Sequence, residues 1–220
     1  MIPQTTEDAY YCCDRSEMLA YITGEPRTIL ELGCGDGGVG AVLEKRFGCR
    51  AIGIEVSVAV AEKARAHLDQ VYVDNIETMD LSGLDCRFDV IVANDVLEHL
   101  VDPWTAVSRL RPLLNDGGRF VASIPNIRCY KALFKLVFKA EWQYCAAGIL
   151  DRIHLRFFTR SSIRALFEDN GYRIESLEAL RPPKIRHIWK WLQYQLYPDL
   201  LTVQYAVVAV PRKDLPELGR

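Results

Sequence analysis

The chain has 220 residues, half of them hydrophobic and a quarter charged, a composition that fills one generous domain and excludes disorder, collagen-like architecture and two full domains. The net charge of −2 conceals an acidic first half, with 11 Lys/Arg against 20 Asp/Glu over residues 1–120, and a basic second half with 16 against 9. Two surfaces for two ligands would explain that asymmetry, and so would plain solvation.

No apolar run approaches the ~20 residues of a membrane span. The opening Met1–Asp8 lacks the basic-then-apolar pattern of a signal peptide. Seven cysteines, an odd number without a Cys-x-x-Cys pair, argue against a disulfide framework or structural zinc and fit a reducing cytoplasm.

In chain order, Thr28–Leu32 reads as a strand and Val39–Phe47 as a helix after a glycine loop. Ala51–Glu55 is a second strand, Val58–Leu68 a helix and Gln70–Val73 a short strand. Phe88–Ala93 has the continuous apolar character of a buried strand, Pro103–Leu114 is a helix, and Gly117-Gly118 precede a strand over Arg119–Ile124. Strands alternating with helices at this spacing predict an α/β fold, a mostly parallel sheet with helices on both faces. Beyond Pro125 the rhythm changes. Ile127–Trp142 reads as a basic amphipathic helix, Ser161–Asn170 as another ending before Gly171, and Tyr172–Leu177 and Val203–Val210 as the last strands. There is no repeat and no linker long enough to divide the chain.

The segment Ile29-Leu-Glu-Leu-Gly-Cys-Gly-Asp-Gly-Gly joins a strand to a helix, and its glycines let the backbone turn sharply and approach a ligand. Gly33, Gly35 and Gly38 satisfy G-x-G-x-x-G, which does not choose between a nicotinamide dinucleotide and another nucleoside. Charge does. Glu31, two residues before the first glycine, would repel a pyrophosphate by ~4 kcal/mol at ~4 Å and an effective dielectric of ~20. It would attract an ammonium or sulfonium, and Asp36 pushes the same way. S-adenosylmethionine carries both cationic groups and no phosphate. Glu55, about 20 residues past the loop, stands where a carboxylate accepts hydrogen bonds from ribose hydroxyls. Asn75 and Ile76, after the third strand, are placed to hold an adenine, with Asp74 an alternative to Asn75.

The chain resembles the class I S-adenosylmethionine-dependent methyltransferases. The matching pieces are Leu30-Glu-Leu-Gly-Cys-Gly-Asp-Gly, Gly53-Ile-Glu, Phe88-Asp-Val-Ile-Val-Ala-Asn-Asp-Val-Leu-Glu-His and Leu110-Arg-Pro-Leu-Leu-Asn-Asp-Gly-Gly-Arg-Phe, in family order over residues 27–126. The resemblance implies a Rossmann-like seven-stranded sheet with its last strand antiparallel. It also implies Glu31, Gly33, Cys34 and Gly35 around the methionine moiety, Glu55 and Val56 at the ribose, and Asn94, Asp95 and Val96 beneath the methionine. A single domain follows, with an N-terminal helical cap (1–26), a cofactor-binding core (27–126) and acceptor-side segments (127–160 and 181–200). Pro125-Asn-Ile-Arg, Gly148-Ile-Leu-Asp-Arg-Ile-His-Leu-Arg-Phe-Phe-Thr and the early Tyr10-Tyr11 with Arg15 resemble bacterial methyltransferases associated with glycan assembly.

Methyl transfer from a sulfonium is an in-line displacement, so the protein must align the groups and exclude water. A hydroxyl acceptor also needs a base. His99, after the fourth strand, and His154, with Asp151 three residues earlier as a candidate orienting partner, are the two imidazoles placed to serve. A structural hydrogen bond at a helix start is the alternative role for His99, and pinning of a loop the alternative for His154. Four histidines without metal-ligand spacing, and no Asp-Asn-Asp cluster, argue for no metal.

Two segments combine lysine or arginine with aromatics: Arg128–Lys139, where Lys131, Lys135 and Lys139 recur every four residues, and Pro183–Pro198. A lid over the acceptor, a contact with an anionic membrane, and ordinary solvated helices all fit. Nucleic acid is disfavoured because Asn94-Asp-Val-Leu stands where a target-base motif would follow the fourth strand. The expectation is a cytoplasmic methyltransferase acting on a small-molecule or glycan-type acceptor. An NAD-dependent oxidoreductase and a non-catalytic binding module of the same fold are the rival readings.

Overall fold

The computed structural model describes residues 15–84, 86–180 and 197–213. Seven strands form one sheet: β1 (Thr28–Leu32), β2 (Arg50–Glu55), β3 (Gln70–Val73), β4 (Phe88–Asn94), β5 (Leu114–Pro125), β6 (Tyr172–Ala179) and β7 (Gln204–Pro211). Their order is β3-β2-β1-β4-β5-β7-β6. β7 runs antiparallel to both of its neighbours, and the pairs among β1 to β5 are all parallel. Among the described residues the α-helices are α1 (Gly38–Phe47), α2 (Val58–Ala64), α3 (Pro103–Leu110), α4 (Tyr130–Lys139), α5 (Arg160–Glu168) and the single turn α6 (Pro198–Leu201), and a 3-10 turn over Ser16–Tyr21 precedes them. No helix among the described residues is long and apolar enough to cross a membrane.

Period-two alternation divides the core between the two faces of the sheet. Leu30, Leu32, Ile91, Ala93, Phe120 and Ala122 pack with α3 and α5 through Val107, Leu110, Ile163 and Phe167. Ile29, Val90, Val92 and Val121 face the other way, against Leu43 of α1 and Met18 and Leu19 of the 3-10 turn. On the first face Phe120, Phe167 and Tyr172 meet edge to face at 5.3–6.0 Å, worth about 0.5–1.5 kcal/mol per pair beyond burial. The buried Tyr172 hydroxyl donates to the Val107 carbonyl at 3.1 Å.

Several boundaries differ from the sequence expectation, each for a local reason. The helix at Val58 ends at Ala64, with turns filling the way to β3 rather than helix to Leu68. α3 stops at Leu110 and tightens into a 3-10 turn over Arg111–Leu113, where Pro112 lacks the N–H to continue. Strand β5 begins at Leu114, not Arg119, with a register shift opposite Phe88–Val90 and Gly117 at φ +79°. α4 spans Tyr130–Lys139 rather than Ile127–Trp142, because Ala140 takes the left-handed conformation and closes it. α5 starts one residue early, fixed by a reciprocal cap in which the Thr159 and Ser162 side chains each accept the other's backbone N–H. Most of the aromatic-basic run Pro183–Pro198, most of the segment 181–200, and the Tyr10-Tyr11 part of the N-terminal cap lie outside the described residues.

Candidate active site

The sheet order changes direction of travel between β1 and β4, the place where sheets of this kind leave a crevice at the carboxyl ends of their strands. A cavity of about 930 Å³ opens there. That volume reaches the upper end of small-molecule sites, so two ligands can lie in it together. Every site residue expected from the sequence lines it: Glu31, Gly33, Cys34 and Gly35 from the β1 loop, Glu55 and Val56 from β2, and Asn75 and Ile76 after β3. From the other side come Asn94, Asp95, Val96 and His99 after β4, and His154 from the loop before α5.

Glu31 shares the parity of Ile29 and therefore points beneath α1, where it is 3% exposed. Gly40 of α1 makes the room: a Cβ there would stand 3.0 Å from Glu31 Oε2. Burial pushes the Glu31 carboxyl up to about 8, with the nearby Asp36 and Glu55 adding to the rise and the Gly40 N–H opposing it. Its Oε2 is buried without a hydrogen-bond partner. A buried carboxylate oxygen left in that condition costs free energy until a donor or cation arrives.

Gly33 and Gly35 both take left-handed backbone, at φ +59° and +57°. At Gly33 a Cβ would also come within 2.9 Å of Val96, so the loops after β1 and β4 touch through a glycine. Glu55 is nearly as buried as Glu31, and its two oxygens accept from Gly35 N at 3.0 Å and Ser57 N at 2.9 Å. Each oxygen retains a further lone pair for a ribose hydroxyl. Cys34 fills space against Gly53, and burial pushes its thiol far up, which makes it a poor nucleophile.

After β3, Asn75 Oδ1 accepts from Glu77 N at 2.9 Å, and Asp74 Oδ1 from Asn75 N at 2.7 Å. Arg109 of α3 fastens this loop from below through the carbonyls of Ile76 at 3.2 Å, Glu77 at 2.6 Å, and Met79. Asn94 places both of its amide atoms in buried positions without partners. Asp95 holds φ +54°, and its carboxylate is engaged by Arg15, Gln204 and Ser123 Oγ, the last at 3.3 Å. The cofactor loop is thereby tied to the N-terminal segment and to β7.

The two imidazoles meet. The His99 and His154 rings lie 4.8 Å apart, edge to face. His99 Nδ1 bonds the Ile153 carbonyl and His154 Nδ1 the Ile149 carbonyl, both at 3.1 Å. A carbonyl only accepts, so both Nδ1 atoms carry the proton and both Nε2 atoms are basic. Burial, and secondarily His154, lowers the His99 pKa below its ordinary 6.5, which keeps the ring neutral at pH 7. The Asp151 carboxylate does not orient His154. It accepts from Ile153 N at 3.2 Å, and the orienting contact is the Ile149 carbonyl.

Glu98 is the residue sequence reasoning passed over. It is 1% exposed, both carboxylate oxygens lack hydrogen-bond partners, and burial pushes it up to about 8 although Arg15 pulls the other way. His154 Nε2 stands 4.0 Å from its Oε1. Ligand atoms of Glu98, His99 and His154 lie within 4.8 Å of one another. The spacing along the chain that spoke against a metal therefore does not describe the grouping in space. The only sequence signal for Glu98 was an acid beside His99 in an otherwise apolar string.

A Rossmann-like seven-stranded sheet with an antiparallel β7, a glycine turn after β1 and a ribose-type acid at the end of β2 define a class I methyltransferase. Residues 5–177 match the methyltransferase domain family, and the chain belongs to it. Membership of that family displaces the oxidoreductase reading. Among curated relatives, the ubiquinone biosynthesis O-methyltransferase of Coxiella burnetii is 27% identical over 157 residues, 70% of this chain and 66% of that protein. The malonyl-[acyl-carrier protein] O-methyltransferase of Geobacter sulfurreducens is 29% identical over 153 residues, 68% of this chain and 57% of that one. The chain thus spans less than two thirds of the length of these curated relatives. Of solved structures, a putative methyltransferase in complex with the Haloferax volcanii Trm112 activator superposes with TM-score 0.66 at 17% identity, over 96% of this chain and 93% of that one. The magnesium protoporphyrin IX methyltransferase of Synechocystis with bound S-adenosylhomocysteine gives 0.60 at 16%, over 94% and 83%.

Proposed function

We propose that the protein transfers a methyl group from S-adenosylmethionine to a hydroxyl of a small-molecule or glycan-type acceptor, in a reducing cytoplasm. The observation that carries this reading is one cavity lined at once by Glu31, whose Oε2 is buried without a hydrogen-bond partner, and by the paired imidazoles of His99 and His154. The residues fit the cofactor. Glu31 holds its ammonium group, Gly33 and Gly35 admit its methionine backbone, and Asn94 offers an unpaired amide beneath it. Glu55 holds the ribose, Val56 packs beside it, and Ile76 with Asn75 or Asp74 holds the adenine. When bound, the cofactor supplies an electrophilic methyl on a sulfonium that leaves readily.

The chain's own share of the reaction is alignment and a proton. The basic Nε2 of His99 or His154 accepts the hydroxyl proton as the oxygen attacks. Oxygen as the target atom is supported by the O-methyltransferase names of both relatives and by those imidazoles. The Gly148–Thr159 segment, which carries His154, supports a glycan-type or lipid-linked acceptor through its resemblance to glycan-associated enzymes. Trideuteromethyl-labelled cofactor incubated with hydroxylated sugar, lipid-linked sugar and phenolic acceptors, beside amine and carbon-nucleophile acceptors, tests it. A mass gain on a hydroxyl supports the reading; methyl transfer only to nitrogen or carbon acceptors overturns it.

The Glu98–His99–His154 grouping favours a second reading of the same step. A divalent cation held there would polarise the acceptor hydroxyl in place of an imidazole base. Calorimetric titration of metal-stripped protein with Mn²⁺ separates the two, since only this second reading requires binding.

A further inference from the structure

Helix α4 turns its apolar side outward. Ala132 alone of its ten residues is buried, while Phe134 is 52%, Val137 67% and Phe138 74% exposed. At about 100° per residue, Tyr130, Phe134, Val137 and Phe138 form one stripe, and Lys131, Lys135 and Lys139 form the next. The neighbourhood continues the theme. Of sixteen large hydrophobic side chains exposed among the described residues, nine fall within 127–160, including Trp142, Tyr144, Ile153 and Leu155. The same stretch carries seven Lys/Arg against two acids, one of which, Asp151, is buried. An exposed apolar patch of this kind marks an interaction site.

We propose that α4 is a docking face for an anionic lipid surface, with Phe134, Val137 and Phe138 at the headgroup–acyl boundary and the three lysines against the headgroups. Charge and chemistry select this occupant: a second copy would bring the same surplus of positive charge against itself, whereas anionic lipid meets both the aromatic stripe and the lysines. Its position gives it a use. Pro125, just before α4, and Gly148, Ile149 and Ile153, after it, line the site cavity. Docking therefore sets the cavity mouth at the membrane, where an amphiphilic acceptor would be presented. The inference stands on this surface and not on the identity of the acceptor.

Co-sedimentation of the full chain with vesicles tests it, comparing phosphatidylcholine alone with phosphatidylcholine containing about one third phosphatidylglycerol. The protein is expected to pellet with the anionic vesicles, and binding should fall with added salt. F134S and F138S should each weaken partitioning about ten-fold or more, and K131E with K135E should abolish it. S-adenosylhomocysteine affinity and circular dichroism verify that the variants remain folded. Absence of binding to the anionic vesicles, or binding indifferent to F134S and F138S, overturns the proposal. So does a dimer in solution that F138S dissociates without any vesicle binding, which would assign the face to a second copy.

Discussion

His154 Nε2 stands 4.0 Å from Glu98 Oε1, although the two residues lie 56 positions apart and neither side chain is more than 7% exposed. The contact crosses from the turn after β4 to the loop before α5. That loop is attached there by backbone as well: Leu155 N and Arg156 N both donate to the Glu98 carbonyl, at 2.8 and 2.9 Å. One residue therefore positions the acceptor-side loop with its main chain and faces its imidazole with its side chain.

If an imidazole removes the hydroxyl proton, kcat depends on it while cofactor binding does not. H99N and H154N should leave S-adenosylhomocysteine affinity within about two-fold, and the variant lacking the base should lose ~10²–10⁴ in kcat. Because the His99 pKa is lowered by burial, the acid limb of its activity profile should lie below pH 6.5. Steady-state kinetics over pH 5–8 reads both effects, and the limb should vanish in the variant of the residue that acts.

Glu31 makes cofactor binding depend on pH. With its carboxyl raised to about 8 in the ligand-free protein and ionised against a bound ammonium, binding releases a proton below that pH. Affinity should rise up to about ten-fold per pH unit between 6 and 8, and E31Q should flatten the slope while weakening binding. Calorimetry in buffers of different ionisation enthalpy counts the released proton.

The same acid sets the stability of the ligand-free protein, with the sign reversed from a paired carboxylate. The unfolded chain loses this proton near 4.5 and the folded chain only near 8, so across that window the folded state binds more protons and stability falls as pH rises. Glu98 contributes in the same direction. E31Q removes one share and should raise the melting temperature at pH 8 by about 4–8 °C, corresponding to ~2 kcal/mol. Thermal melts from pH 5 to 8 should show the E31Q curve flatter than the parent's.

Gly53 in β2 leaves a space that Cys34 and Leu68 occupy: an added Cβ would lie 2.5 Å from Cys34 Sγ and 2.8 Å from Leu68 Cδ1. G53V should cost about 1–3 kcal/mol by overpacking, read as a lower denaturant midpoint. R109A unfastens the Ile76–Met79 loop without touching the cavity, so it should weaken cofactor binding several-fold while kcat at saturation holds. Titration with S-adenosylhomocysteine, beside kcat, tests that split.

Sheet and cofactor loop were legible because their signals are local. Short apolar runs such as Ile29–Leu32 and Val90–Ala93, a glycine turn at Gly33–Gly35 and an acid ending β2 each follow from a few consecutive residues. The element ends were less so, since Ala140 carries no sequence mark of its left-handed backbone. The site's second half lay in contacts between distant segments. Nothing near Arg109 announces the loop it fastens, and nothing in Leu97-Glu-His says that Glu98 will be sealed beside His154.

Helix α4 shows the limit most plainly. Its pattern determined a helix with one apolar and one basic stripe. Only the packing decided that the apolar stripe faces outward, because periodicity fixes the angle between two faces and not which of them the rest of the chain covers.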